Sequence, residues 1–141
     1  MSRILLVDDD ESFRKMLHET LQRAGYQVQD AANGKVALKL YRQEPADLII
    51  TDIFMPEKEG LETIMEVRRI NPNVKIIAIS GEGRGGPIGY LQIAKQLGAK
   101  RALVKPFSSK EVLETVAQVL SEDGSLPMTG PLLDTGVLPD C

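Results

Sequence analysis

Several short apolar runs in the chain end in side chains that could act on a phosphoryl group. The stretch LIITDIFMPEKEG, residues 48–60, carries one carboxylate, Asp52, out of an apolar run and into a turn. The groups at the ends of the other runs are Asp8 and Asp9, Ser80, and Lys105. An aspartate can attack phosphorus as a nucleophile, and an ammonium or a hydroxyl can bind the oxygens of the transferring group. These side chains form a phosphoryl-transfer set if the fold brings them together.

Three of these groups, Asp8, Asp9 and Asp52, are carboxylates that would repel one another at close range. A hard divalent cation relieves such repulsion, and Mg²⁺ binds one or two carboxylates while keeping positions for water and a phosphate oxygen. The sequence therefore predicts a Mg²⁺ site at these aspartates, with Asp52 as the nucleophile. Lys105 and Ser80 are the predicted partners of the phosphoryl oxygens.

The elements that must position these groups alternate between apolar runs and amphipathic stretches. The runs lie at residues 4–7, 27–30, 48–51, 74–80 and 102–104. Most are too apolar to have a face in water, as expected for parallel strands covered on both sides. This pattern predicts an α/β fold, a doubly wound (βα)₅ parallel sheet with the flavodoxin-like strand order 2-1-3-4-5. Strands one and three would then be neighbours, and their carboxyl ends would bring Asp8, Asp9 and Asp52 together.

Residues at helical spacing between the runs predict five helices. The marker residues are Phe13, Met16, Leu17, Leu21 and Ala24; Val36, Ala37, Leu40 and Tyr41; Leu61, Ile64, Met65 and Arg68; Leu91, Ala94 and Leu97; and Val112, Leu113, Val116, Val119 and Leu120. Gly25 stands where the first helix should end in a left-handed residue, and Gly98 follows the fourth. Asp10 is the expected cap of the first helix, and Ser108 with Glu111 has the spacing of a capping box before the last.

Composition excludes several classes of protein. The chain has 141 residues, a formal charge of −3 and a single cysteine, Cys141, so it offers no disulfide framework and no basic footprint for nucleic acid. Its apolar runs are too short to span a membrane, and its N-terminus lacks the apolar stretch of a signal peptide. We therefore expect a cytoplasmic protein without membrane insertion.

The domain organisation is predicted from a change in sequence pattern near residue 120. Residues 1–120 carry the periodic pattern and are predicted to form one domain. Residues 121–141 contain three Pro and three Gly without periodicity, which is typical of a flexible C-terminal tail.

Four segments together resemble the receiver domain of two-component response regulators. These segments are LLVDDD, LIITDIFMPEKEG, IIAISG and LVKPF. Their combination is specific, because an acidic pair, a D-x-x-M-P-x-x-x-G turn, a Ser at a strand end and K-P-F follow in order. The resemblance covers residues 3–120.

The resemblance implies roles for individual residues. Asp52 would accept phosphate from a histidine kinase or a histidine phosphotransfer protein, and Asp8 and Asp9 would help to hold Mg²⁺. The backbone carbonyl of Phe54 would be a further metal ligand. Ser80 and Lys105 would sense the phosphate, and the family typically has a cis peptide before the proline that follows the lysine.

The resemblance also implies a signalling role that depends on protein contacts. Such a domain catalyses only its own phosphorylation and dephosphorylation, and it is not a metabolic enzyme. We expect a kinase or phosphotransfer protein to dock near Phe13 and Arg14, and an unknown downstream protein to bind the fourth helix, fifth strand and fifth helix. One departure from the family pattern is Ala102, which replaces the aromatic residue usual three positions before the lysine.

Three other interpretations compete with this one. Gly81, Gly83 and Gly86 match a dinucleotide-binding fingerprint, but no acidic residue follows about twenty positions later to hold a ribose. Asp8 could instead be the nucleophile of an aspartyl-phosphate-forming phosphatase, a reading that leaves Asp52 and its turn unexplained. His18, the only histidine, lies opposite the apolar stripe of the first helix, so a solvated position is favoured over a phosphohistidine.

Overall fold

A five-stranded parallel sheet forms the centre of the molecule, with strand order β2-β1-β3-β4-β5. The computed structural model describes residues 2–53, 59–80, 92 and 95–121. The elements are β1 (Arg3–Val7), α1 (Glu11–Arg23), β2 (Gln27–Ala31), α2 (Gly34–Gln43), β3 (Leu48–Asp52), α3 (Glu59–Ile70), β4 (Lys75–Ser80), β5 (Arg101–Val104) and α4 (Ser109–Ser121). The predicted α/β class and strand order are confirmed.

The strand side chains divide between two hydrophobic layers, because successive residues of a strand point to opposite faces of a sheet. One layer joins Leu5, Val7, Ile49 and Ile76 to residues of α2 and α3. The other joins Ile4, Leu6, Leu48, Ile50, Ile77 and Ile79 to residues of α1 and α4. The three interior strands therefore have no face in water, which explains their apolar composition.

Local capping signals appear where the sequence predicts them. The Asp10 carboxylate accepts a hydrogen bond from the Phe13 backbone N–H at 3.1 Å, and Gly25 has a φ of 102° after α1. Ser108 and Glu111 form a reciprocal capping box at the start of α4, with bonds of 3.0 and 3.2 Å. These side chains satisfy backbone groups that the helix ends leave unpaired.

The predicted fourth helix lies mostly outside the described residues. Residues 92, 95 and 96 are helical, and Gly98 has a φ of 112° at the following turn. The glycine-rich match at residues 81–86 and the markers Leu91 and Ala94 lie outside the described residues. The same holds for residues 122–141, so the predicted tail stays a prediction, although α4 itself continues to Ser121.

Some residues of the predicted apolar stripes are exposed to solvent. Met16 is 46% exposed on α1, Val36 is 40% exposed on α2, and Met65 is 48% exposed on α3. The buried residues of α1 are Leu17 and Leu21, so Met16 lies beside the buried stripe rather than in it.

His18 is partly exposed to solvent and also contacts a carboxylate that the pattern of α1 does not indicate. Its side chain is 28% exposed, and His18 Nδ1 lies 2.8 Å from Asp30 Oδ2. The contact exists because α1 packs on the edge strand β2, which carries Asp30. Periodicity along α1 carries no information about a carboxylate on another element.

No helix among the described residues is long and apolar enough to cross a membrane.

Candidate functional site

Asp8 begins the site directly after β1. Its side chain is fully buried, and each of its two oxygens accepts a hydrogen bond. The Asp10 backbone N–H donates to Oδ1 at 2.8 Å, and Lys105 Nζ donates to Oδ2 at 2.9 Å. Because β1 pairs with both β2 and β3, its carboxyl end is fixed between two neighbouring strands.

Asp52 is the last residue of β3 and is only 2% exposed. The backbone at this position is held by β4. Asp52 pairs with Ile79, and the Ile53 N–H donates to the Ile79 carbonyl at 2.9 Å. Lys105 Nζ lies 3.5 Å from Asp52 Oδ2. Asp52 is therefore a buried, ion-paired carboxylate.

Asp9 completes the acidic cluster from the solvent side. Its side chain is exposed, whereas Asp8 and Asp52 are buried, and each of the three places a carboxylate oxygen within 4.8 Å of the others. The predicted convergence of Asp8, Asp9 and Asp52 is thus observed. The pairing of β1 with β3 brings Asp52 close to Asp8 and Asp9, although they are far apart in the sequence.

Lys105 follows β5 and provides an ammonium that contacts two of the three carboxylates. Its backbone N–H donates to the Ser80 carbonyl at 2.8 Å, which ties the loop after β5 to the end of β4. The peptide bond between Lys105 and Pro106 is cis, as the family resemblance implies. Lys105 therefore reaches the cluster from the end of the edge strand β5, which β4 separates from β3.

Ser80 is the last residue of β4, and its side chain is fully buried. Within residues 2–53, 59–80, 92 and 95–121, its hydroxyl has no hydrogen-bond partner. A buried hydroxyl normally finds a partner. Ser80 therefore has hydrogen-bonding capacity to offer at the same edge of the sheet.

Two residues of α1 contribute more to the site than the sequence indicates. Arg14 Nη1 donates to the Asp8 backbone carbonyl at 2.7 Å, and its side chain is only 14% exposed. The Phe13 ring centroid lies 4.1 Å from Lys105 Nζ. The sequence places both residues near the acidic edge as a docking surface, but it does not show their contacts with Asp8 and Lys105. The only sequence signal for these contacts is that both residues lie at the start of α1, close to Asp10.

The donor set fits Mg²⁺ by its chemistry. Asp8, Asp9 and Asp52 supply hard carboxylate oxygens from two neighbouring strand ends, and the cluster carries more negative charge than Lys105 neutralises. Mg²⁺ prefers such oxygen ligands and retains water at its remaining positions. Phe54, predicted to add a backbone carbonyl, lies outside the described residues.

Known proteins of this architecture resemble the chain closely. It is 38% identical over 118 residues to the chemotaxis protein CheY of Thermotoga maritima, covering 83% of this chain and 96% of that protein. Sporulation initiation phosphotransferase F of Bacillus subtilis is 33% identical over 118 residues, covering 84% of this chain and 93% of that protein.

A solved structure gives the same result. The chemotaxis protein CheY4 of Vibrio cholerae is 36% identical, with a TM-score of 0.76 and coverage of 84% of this chain and 98% of that one. The family model described as the response regulator receiver domain matches residues 4–117. The chain therefore belongs to the response regulator receiver domain family of two-component signalling.

Proposed function

We propose that this domain accepts a phosphoryl group on Asp52 from a phosphohistidine of a kinase or phosphotransfer protein, in a reaction that requires Mg²⁺. The observation that carries the proposal is the buried Asp52 carboxylate. It lies 3.5 Å from the Lys105 ammonium and within 4.8 Å of oxygens of Asp8 and Asp9.

The transfer step forms a bond between an Asp52 oxygen and phosphorus while the bond from phosphorus to the donor imidazole nitrogen breaks. The imidazole leaves with the electron pair of that bond, and the carboxylate becomes an acyl phosphate. The contact between Lys105 and Asp52 supports a role for the ammonium in binding the phosphoryl oxygens as their charge shifts. The Ser80 hydroxyl can donate to another of these oxygens.

The three aspartates form the metal site of this proposal. Asp8, Asp9 and Asp52 are the side chains that would hold Mg²⁺, which when bound neutralises charge on the carboxylates and on the phosphoryl oxygens. Asp8 is suited to a fixed position because both of its oxygens accept hydrogen bonds. The same rigidity does not favour Asp8 as the nucleophile of a phosphatase.

Signalling then depends on contacts with other proteins. The acyl phosphate carries up to about two negative charges where the Asp52 carboxylate carried one, and the phosphoryl oxygens attract Lys105 and the Ser80 hydroxyl. Because β5 ends just before Lys105 and α4 follows it, the surface of β5 and α4 is where a downstream protein would detect the change. The chain acts only on its own Asp52, as a switch in the cytoplasm, and the phosphotransferase name of one relative supports onward transfer as one output.

The test is phosphorylation by acetyl phosphate with Mg²⁺, followed by intact-mass analysis and peptide mapping. The parent should gain one phosphate on Asp52, and Asp52→Asn or removal of Mg²⁺ with EDTA should abolish the gain. Asp10→Asn is the matched control, because Asn also caps helices and Asp10 is outside the acidic cluster. Labelling of Asp52→Asn at the parental rate, or a label on Asp8, would refute the proposal.

A further inference from the structure

The Lys105 ammonium has a third neighbour besides its two carboxylates. It lies over the ring of Phe13, 4.1 Å from the ring centroid, while it donates to Asp8 at 2.9 Å. The face of an aromatic ring carries partial negative charge and attracts a cation at this distance. The ammonium thus contacts both a ring face and the acidic cluster.

The Phe13 ring is itself fixed by its surroundings. Its centroid lies 5.6 Å from that of Phe107, with an interplanar angle of 87°, an edge-to-face arrangement that aromatic pairs favour. Both rings pack against the hydrophobic layer under α1 and α4. The Asp10 cap, which binds the Phe13 N–H, also fixes the turn that carries the ring. These contacts restrict the orientation of the Phe13 ring.

A lysine needs such a surface if its charge is to stay in one place. Its four-carbon stem is flexible, and holding it in one rotamer costs up to about 2 kcal/mol of conformational entropy. The carboxylates attract the ammonium, but the Lys105 side chain is 20% exposed and has solvent within reach. The Phe13 ring face contacts the ammonium in addition to the two carboxylates, so it restricts the side chain further.

We propose that Phe13 is a positioning residue for phosphorylation, because its ring holds the Lys105 ammonium beside Asp52. This inference rests on the function proposed above. It differs from a docking role, since a docking residue matters only when a protein donor binds. A positioning residue matters for every donor, including a small one.

The first experiment measures phosphorylation by acetyl phosphate in Phe13→Leu and Phe13→Tyr. Leucine keeps an apolar side chain but has no ring face, whereas tyrosine keeps the ring. We expect Phe13→Leu to slow labelling of Asp52 roughly three- to tenfold, the change that a loss of about 0.7–1.4 kcal/mol produces. Phe13→Tyr should label at nearly the parental rate. Parental labelling of Phe13→Leu, or equal slowing in both variants, would overturn the inference.

The second experiment asks whether Phe13 acts through Lys105. In a Lys105→Met background, Phe13→Leu should have no further effect on the rate, because the ammonium that the ring holds is absent. Independent slowing by both changes would contradict a positioning role.

A third readout does not depend on phosphorylation. In protein labelled with ¹³C-lysine, the ε-methylene protons of Lys105 should show an upfield ring-current shift that Phe13→Leu removes and Phe13→Tyr retains. If the parent takes no label on Asp52, the proposed function fails, and this NMR signal still decides whether Phe13 holds Lys105. An unshifted Lys105 signal in the parent would refute the placement itself.

Discussion

At the scale of single residues, the site is a problem of buried charge. Asp8 and Asp52 are almost inaccessible to water, and an unpaired buried carboxylate costs several kcal/mol. Lys105 contacts both of them, while Asp9 adds a third negative charge nearby. One ammonium among three carboxylates lets the chain fold and still leaves the pocket attractive to a cation.

Arg14 is expected to stabilise this pocket through the backbone. Arg14→Ala removes the donor to the Asp8 carbonyl, whose bond measures 2.7 Å in a partly buried position. Because an unsatisfied carbonyl of this kind costs about 1–3 kcal/mol, the free energy of unfolding should fall by that amount in urea titration. The control is Lys15→Ala, which removes an exposed ion pair with Glu11 and should change stability by less than about 0.5 kcal/mol. Equal effects of the two changes would contradict the role of Arg14.

At the scale of elements, single side chains fix the starts of α1, α2 and α4. Ser108→Ala should lower the free energy of unfolding by about 1 kcal/mol, because it removes the 3.0 Å bond from the Glu111 N–H that starts α4. The adjacent Ser109→Ala is a matched control, since alanine is the better helix former and Ser109 lies within α4. Thermal or chemical unfolding measures both, and a loss of stability in Ser109→Ala alone would show that the cap was misassigned.

Helix α1 also offers a test of protein docking that spares the pocket. Phe13 contacts Lys105, so a change there cannot separate docking from chemistry, whereas Met16 is 46% exposed on the same helix. Met16→Glu should slow phosphotransfer from a phosphohistidine protein about tenfold, the effect of about 1.4 kcal/mol, by burying a charge in the interface. Labelling by acetyl phosphate should be unchanged.

The control for docking is Val36→Glu, since Val36 is 40% exposed on α2, which packs on the opposite face of the sheet. It should leave both phosphodonor reactions at the parental rate. Equal slowing by Val36→Glu, or no slowing by Met16→Glu, would remove α1 as the docking surface.

At the scale of the whole molecule, ion binding should be coupled to stability. A ligand that binds only the folded chain stabilises it by about 2.7 kcal/mol at a concentration one hundred times its Kd. Mg²⁺ should therefore raise the thermal midpoint relative to EDTA. Asp9→Asn should reduce this rise without lowering stability in EDTA. Asp9 is exposed, and its negative charge repels those of Asp8 and Asp52. An Mg²⁺ effect of parental size in Asp9→Asn would exclude Asp9 as a ligand.

Much of the architecture could be predicted from the sequence because its causes are local. Apolar runs buried on both faces, the Asp10 cap, the Ser108–Glu111 box and the turn at Gly25 each depend on residues close together in the chain. The meeting of Asp8 with Asp52 was also predictable, since the order of a doubly wound sheet makes strands one and three neighbours.

By itself, then, the sequence determined the alternation of strands and helices, the caps, and which reactive groups reach one edge of the sheet. Only the tertiary structure decided the contacts between elements. The Lys105 ammonium lies over the Phe13 ring, Arg14 donates to the Asp8 carbonyl, and His18 contacts Asp30. Periodicity specifies which face of an element is apolar, but contacts between elements depend on how those elements pack. Packing sets the distance between side chains that have no regular spacing in the chain.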